Sequence, residues 1–268
     1  MILEKTTTGW MKGLTDRFRR HEFLFTELVK RDFKHKYKGT ALGMLWSVLE
    51  PLLHLLVMRL VFTQFFGRNT PHYTTYLFCG NLVFTYFSQS TSSGMSAIVQ
   101  NSNILSKVRA PKYLFLLSKN VSDLINFGLT LCVFFLFVVL DHVAFSWSFL
   151  TLIYPILCLI VFNIGIGMIL STIYVFFRDT SYLYSIFTLL LRYLSAIFYT
   201  VDRFPENVQK MFLLNPIYCF IRYFRIAVID GMVPSAKLHL LCMGYAAAAA
   251  LIGALLYKKN NVRFLYYM

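Results

Sequence analysis

Six stretches of this chain are long and apolar enough to cross a bilayer as helices, at roughly 42–66, 76–97, 114–140, 149–177, 182–199 and 238–257. Each lies near the ~20 residues that a helical span requires. Composition agrees, since 57% of residues are hydrophobic and 14% are charged, against about 25% charged in a soluble domain. The fold expected is all-α and integral to the membrane, one domain over 1–268 with six transmembrane helices.

Charge placement orients the spans. Of 26 Lys and Arg, ten precede Thr40, four (Lys107, Arg109, Lys112 and Lys119) fall between the second and third stretches, Arg178 follows the fourth, and three follow Tyr257. The positive-inside rule makes these segments cytoplasmic, so both termini are inside and the number of spans is even. The net charge of +14 then reports topology. Nucleic-acid binding would need those cations on a folded aqueous domain, and too little chain lies outside the spans to build one. The Met-Ile-Leu-Glu-Lys start is unlike a cleavable signal peptide, so the first span is expected to direct insertion. Cys79, Cys132, Cys158, Cys219 and Cys242 lie in apolar segments without metal-ligand spacing and read as packing residues.

Three segments between spans stand out. Residues 200–236 are too long for a turn and too apolar for a soluble loop, and they are broken at Pro205, Asn215-Pro216 and Gly231. Proline and the residue before it resist helix. Two half-length helices dipping into the outer leaflet fit this pattern, and so does a lid of amphipathic helices lying on the surface. Before the first span, Phe18, Phe25, Leu28, Val29, Phe33 and Tyr37 recur at helical spacing while Lys30, Arg31, Lys34 and Lys38 crowd the other faces. This basic interfacial helix, within 14–40, is either a membrane anchor or a gate whose cations meet a phosphate-bearing substrate. Residues 98–113 include Asn103, Leu105, Lys107, Arg109 and Pro111 and allow a two-turn helix along the membrane, as a docking surface or an ordinary basic loop.

Chemistry is sparse elsewhere. No GxxxxGK[ST] phosphate loop, HExxH or paired CxxC occurs. Glu50, His54, Arg59, Asp123 and Arg192 fall at membrane depth, where a charge costs roughly 2.5–3.5 kcal/mol, which makes them functional candidates. Asp123 and Asn126 are expected to hydrogen-bond to a neighbouring helix. No internal repeat of the kind seen in secondary transporters is present. Small residues four apart in Gly244–Gly253 allow another helix to approach closely.

Taken in order, these parts resemble the permease subunit of ABC exporters for lipid-linked polysaccharides, the group that handles O-antigen, capsule and teichoic acid. The resemblance rests on Glu27-Leu-Val-Lys-Arg-Asp-Phe-Lys-His-Lys-Tyr-Lys-Gly-Thr-Ala-Leu-Gly-Met-Leu-Trp-Ser-Val-Leu-Glu-Pro-Leu, on the Asn103-to-Pro111 connection, on Phe177-Arg-Asp, and on the outer segment from Pro205 through Asn215-Pro216 to Gly231. It implies six helices with an amphipathic gate helix and two outer re-entrant helices, paired as a homodimer around a channel in the bacterial inner membrane. Asn103 to Pro111 would be the coupling helix that docks on a separate ATP-hydrolysing subunit, two copies per complex. No cofactor is then expected in this chain, because ATP and Mg belong to that partner.

The cargo implied is a polyprenyl-pyrophosphate-linked glycan, admitted at Lys30, Arg31, Lys34, Lys36, Tyr37 and Lys38. Tyr86, Phe87, Ser88, Arg192 and Tyr199 are candidates for channel lining, and Arg222 and Arg225 meet either a phosphate or outer headgroups. Other classes make different demands. An ABC exporter of another lipid or small molecule would share the same parts. An ion-coupled carrier would depend on Asp123 or Glu50, and a membrane enzyme acting on lipid-linked sugars on Asp179 or Asp230.

Overall fold

The computed structural model describes residues 22–66, 72–107, 110–260 and Phe264; Arg109 and the first part of the expected gate helix, 14–21, lie outside them. Helix α1 covers 22–37. It is followed by α2 (Trp46–Phe66), α3 (Tyr73–Gln100), the one-turn α4 (Ser102–Leu105), α5 (Tyr113–Leu140), α6 (Ile153–Phe176), α7 (Thr180–Leu194), α8 (Glu206–Phe212), α9 (Pro216–Val228) and α10 (Ala236–Asn260). Short 3-10 turns at Gly43–Leu45 and Trp147–Leu152 lead into α2 and α6. All the described regular structure is helical.

Four segments are long and apolar enough to cross a membrane, namely Gly43–Phe62, Tyr113–Leu140, Trp147–Phe176 and Ala236–Asn260, with a fifth if α8 and α9 count as one broken span. The two other expected spans differ from this pattern for separate reasons. Helix α3 has the length but is polar, and 19 of its 28 residues are buried. Wrapped by protein, it does not need an apolar exterior. Helix α7 stops at Leu194 after 15 residues, which is about 22 Å at the α-helical rise and short of a ~30 Å hydrocarbon core. The expected helix to Tyr199 ends early because Ala196 turns left-handed, with φ at 51°, where L-residues with a Cβ rarely sit.

Helix α3 is the axis of the core. Helices α5, α6 and α9 pack on it, and α6 packs most extensively against α10. That last pair meets backbone to backbone: a Cβ on Gly165 would strike the backbone of Ala249 and Ala250, and one on Gly253 would strike Gly165. The small-residue spacing read from α10 therefore operates within the chain, at Ala249 and Gly253, whereas Gly244 faces open space.

The two short helices differ in kind. Helix α8 buries none of its residues, but ten of the 13 in α9 are buried, and the two axes bend by 104°. Asn215 accounts for the break. Its side chain accepts from the backbone N–H of Ile217 and Tyr218 at 3.0 and 3.4 Å, capping α9 with Pro216 in the first turn. Its amide also donates to Leu194 O and Ser195 Oγ at 3.2 and 3.0 Å, tying α9 to the end of α7. Arg225 closes this end of the molecule: it is 8% exposed, its guanidinium lies 3.4 Å over the Tyr76 ring, and it donates to the carbonyls of Tyr76 and Ile197 at 3.3 and 3.1 Å.

Candidate substrate path and coupling site

At the basic end, α1 folds against the start of α5 and the α3–α4 junction. Leu28 on α1, Leu105 on α4, Phe115 and Leu116 on α5, Tyr257 on α10 and Phe264 share one hydrophobic cluster. Beside it lies an ionic knot around one buried carboxylate. The Asp32 carboxylate, 4% exposed, pairs with Arg31 at 2.7 Å and Lys119 at 3.4 Å, and Ser118 Oγ donates to it at 3.3 Å. Arg31 Nη2 also donates to Asn101 Oδ1 at 2.8 Å. Asp32 and Asn101 were not singled out in the sequence. The available signal was that Asp32 stands four residues after Leu28, an acid on the apolar face of a basic helix.

The proposed docking segment is a single turn rather than the expected two, because the helix stops at Leu105. Asn103 and Lys107 point outward, Pro111 is half-buried, and Leu105 turns inward to the cluster with α1. The segment thus has a polar outer face and an apolar face seated against α1.

Two cavities flank Tyr37. The first, an open groove of about 490 Å³, is lined by Arg31, Lys34, His35, Tyr37, Lys38, Gly43 and Met44, largely through the apolar parts of these residues. The second, of about 180 Å³, lies among α1, α2, α3, α5 and α7, and is lined by Lys36, Tyr37, Glu50, His54, Asn81, Gln89 and Arg192 among others. Tyr37 is the wall common to both. Its hydroxyl donates to Asn126 Oδ1 at 2.7 Å and its ring meets Phe33 edge-on at 5.8 Å. Burial, followed by the Glu50 and Asp123 carboxylates, pushes the phenol up to about 12, so it remains a neutral donor at physiological pH. Lys30, on the far side of α1, is exposed and pairs with Glu27.

The membrane-depth charges Glu50, His54 and Arg192 therefore meet in one cavity, with His54 Nε2 3.4 Å from Asn81 Oδ1 and Arg192 5.0 Å over the Phe84 ring. Arg59 is exposed and lines neither cavity. Asp123 and Asn126 do bond across helices, Asp123 accepting from Ser93 and Asn126 from Tyr37. Tyr86 and Phe87, expected on a channel wall, sit in the core at 3% exposure, Tyr86 stacked on Phe127. Ser88 is half-buried beside them. The stripe of α3 that faces the cavity is instead Asn81, Thr85 and Gln89, spaced four apart. Tyr199 joins a cluster at the opposite end, accepting from Tyr76 through its carbonyl at 2.7 Å. There Arg222, Arg225, Asp202 and Asp230 line a third cavity of about 420 Å³; Asn215 caps α9, which borders it, and Pro205 stands at the start of α8.

Membrane-length helices enclosing polar cavities, with a basic helix packed across one end, have the form of a membrane permease. Over residues 24–229 the sequence matches the ABC-2 type transporter family, and the chain belongs to that family. It is 31% identical over 219 residues to an O-antigen export system permease protein, RfbA, of Myxococcus xanthus, covering 80% of this chain and 83% of that protein. An O-antigen export system permease protein of Klebsiella pneumoniae is 27% identical over 246 residues, 90% of this chain and 93% of that one. The polysialic acid transport protein KpsM of Escherichia coli is 23% identical over 241 residues, 87% and 92% respectively.

Proposed function

We propose that the chain is the channel-forming subunit of an ATP-driven exporter that moves a polyprenyl-pyrophosphate-linked polysaccharide or teichoic acid from the cytoplasmic to the outer side of the bacterial inner membrane. The observation that carries this reading is the pair of cavities that share Tyr37, one bordered by the basic residues Arg31, Lys34, His35 and Lys38 and the next by neutral polar and mixed charged groups. A diphosphate headgroup suits the first and a hydroxyl-rich sugar chain the second. The names of the O-antigen and polysialic acid relatives support a polysaccharide cargo.

In this reading both termini are cytoplasmic, the 1–268 domain crosses the membrane six times, and α8 and α9 form the outer re-entrant pair. Two copies assemble around a channel. Asn103, Leu105, Lys107, Arg109 and Pro111 engage an ATP-hydrolysing subunit, also present in two copies, which binds ATP and Mg. This chain's own residues bind, orient and pass the cargo. Lys34 and Lys38 draw in the phosphates at the first cavity and Lys36 stands at the second; Tyr37 parts the two cavities; Glu50, His54 and Arg192 offer acceptors and donors to sugar hydroxyls. Export ends beside Pro205, Asn215, Pro216, Arg222 and Arg225.

The test is to purify the tagged chain from its native membrane in mild detergent and look for a stoichiometric ATPase subunit, then reconstitute the complex and follow glycan movement. Co-purification with ATP-dependent movement is expected. Movement by the chain alone along an ion gradient would sink the proposal.

A further inference from the structure

Arg31 belongs to two places at once. It lines the basic cavity with Lys34, His35 and Lys38, and it reaches the α3–α4 junction through its bond to Asn101 Oδ1 at 2.8 Å. Its Nη2 and Nε also hold Asp32, at 2.7 and 3.1 Å. Asn101 starts the coupling turn: its carbonyl accepts from the N–H of Ile104 and Leu105 at 3.0 and 2.9 Å, and its side-chain amide donates to Ala97 O at 2.8 Å. A single guanidinium therefore links the proposed docking surface to a cation-lined cavity.

Building on the substrate path proposed above, we infer that Arg31 senses a phosphate or diphosphate group in the basic cavity and reports it to the coupling turn by exchanging its bond to Asn101 for one to the anion. Guanidinium presents five donors in a planar fork suited to such groups. Two acceptors now occupy it, and they are unequal. The bond to Asp32 joins two charges, and that carboxylate is 4% exposed and also held by Lys119. The bond to Asn101 goes to a neutral amide, from an Arg31 side chain that is 39% exposed and lines the cavity. An anion arriving beside Lys34 and Lys38 competes for the exposed edge, and the uncharged acceptor is the one that yields.

The consequence is a two-state junction. With the cavity empty, Arg31 ties α1 to the residue that begins α4. With an anion in place, α1 stays anchored through Asp32 while Asn101 is released. Binding linkage is reciprocal, so a partner that docks on the released turn raises the cavity's affinity for the anion. The diphosphate of a lipid-linked cargo and the headgroup phosphate of an anionic phospholipid share this chemistry, and the experiment separates them.

Binding of farnesyl diphosphate to the purified full chain in nanodiscs of zwitterionic lipid, followed by calorimetry, tests the exchange. Arg31→Gln is expected to weaken binding by about tenfold or more. Asn101→Ala removes the competitor and is expected to tighten it by about fivefold; a purely structural asparagine would give no change or a loss. Asn101→Asp installs a charged competitor and is expected to weaken binding, so the sign reversal survives even if one variant does not fold. Equal affinities for wild type, Asn101→Ala and Asn101→Asp would overturn the inference, as would no binding by wild type. Unaltered binding in phosphatidylglycerol nanodiscs supports a diphosphate sensor. Abolition there overturns it, because a site filled by bulk lipid reports nothing. None of these readings requires transport or a partner, so their failure leaves the exporter proposal standing, and a missing ATPase faults only that proposal.

Discussion

Asp32 is a carboxylate buried in the middle of a cationic helix, and its removal leaves Arg31 and Lys119 facing each other without a counter-charge. Asp32→Ala is expected to lower stability by about 1.5–3 kcal/mol, the range for hydrogen bonds to a charged group. The half-exposed Arg31 keeps the loss below that of a fully buried pair. Thermal unfolding of the purified protein measures it, with Lys119→Met giving a smaller drop. Tyr37→Phe strips Asn126 Oδ1 of its donor and should cost about 1 kcal/mol. The pH dependence has a definite sign. The folded phenol titrates near 12 rather than 10.0, so its contribution is complete below about pH 10 and fades as pH rises toward the folded value. The gap in unfolding midpoint between wild type and Tyr37→Phe should thus be flat at neutral pH and narrow in strong alkali. The basic and aromatic members of this site were legible as a periodic stripe. Asn101 was not, because its importance comes from a partner 70 positions away.

At the scale of the element, Gly165 and Gly253 set the approach of α6 to α10. Gly253→Ala forces the two backbones apart and should reduce thermal stability more than Gly244→Ala, where an added Cβ meets nothing. Comparing unfolding midpoints of the two alanine variants decides whether the close approach matters. Asn215→Ala removes both the α9 cap and the link to Leu194 and Ser195. A cap alone is worth about 1 kcal/mol, and the loss should appear as faster proteolysis between α7 and α9. The Pro and Asn punctuation that marks these helices was readable in the chain itself. The left-handed turn at Ala196 was not, since alanine carries no local signal for it and the surrounding packing imposes it. Likewise the burial of α9, as against the exposure of α8, follows from what α9 packs on, since both segments read as short and partly apolar.

The whole molecule leaves apolar faces uncovered. Leu53, Leu56, Val57 and Leu60 on α2, and Leu183, Ile186, Leu190 and Leu194 on α7, are exposed, as lipid or a second copy would require. Neutralising Lys34, Lys36 and Lys38 together to Gln should slow export of the reconstituted complex by roughly tenfold, a loss of about 1.4 kcal/mol, with membrane insertion unchanged; an undiminished rate would leave α1 as a membrane anchor only. The sequence by itself determined the membrane-spanning character, the placement of positive charge at one end, the amphipathic basic helix and the breaks around α8 and α9. Each depends on residues near one another in the chain, through hydrophobicity, backbone restriction or periodicity. Only the tertiary structure decided that α3 is a buried axis with Asn81, Thr85 and Gln89 lining a cavity, that Tyr37 borders two cavities, and that Arg31 joins α1 to the start of α4. Those facts depend on which helix faces meet, and a helix face has no identity until its neighbours have packed against it.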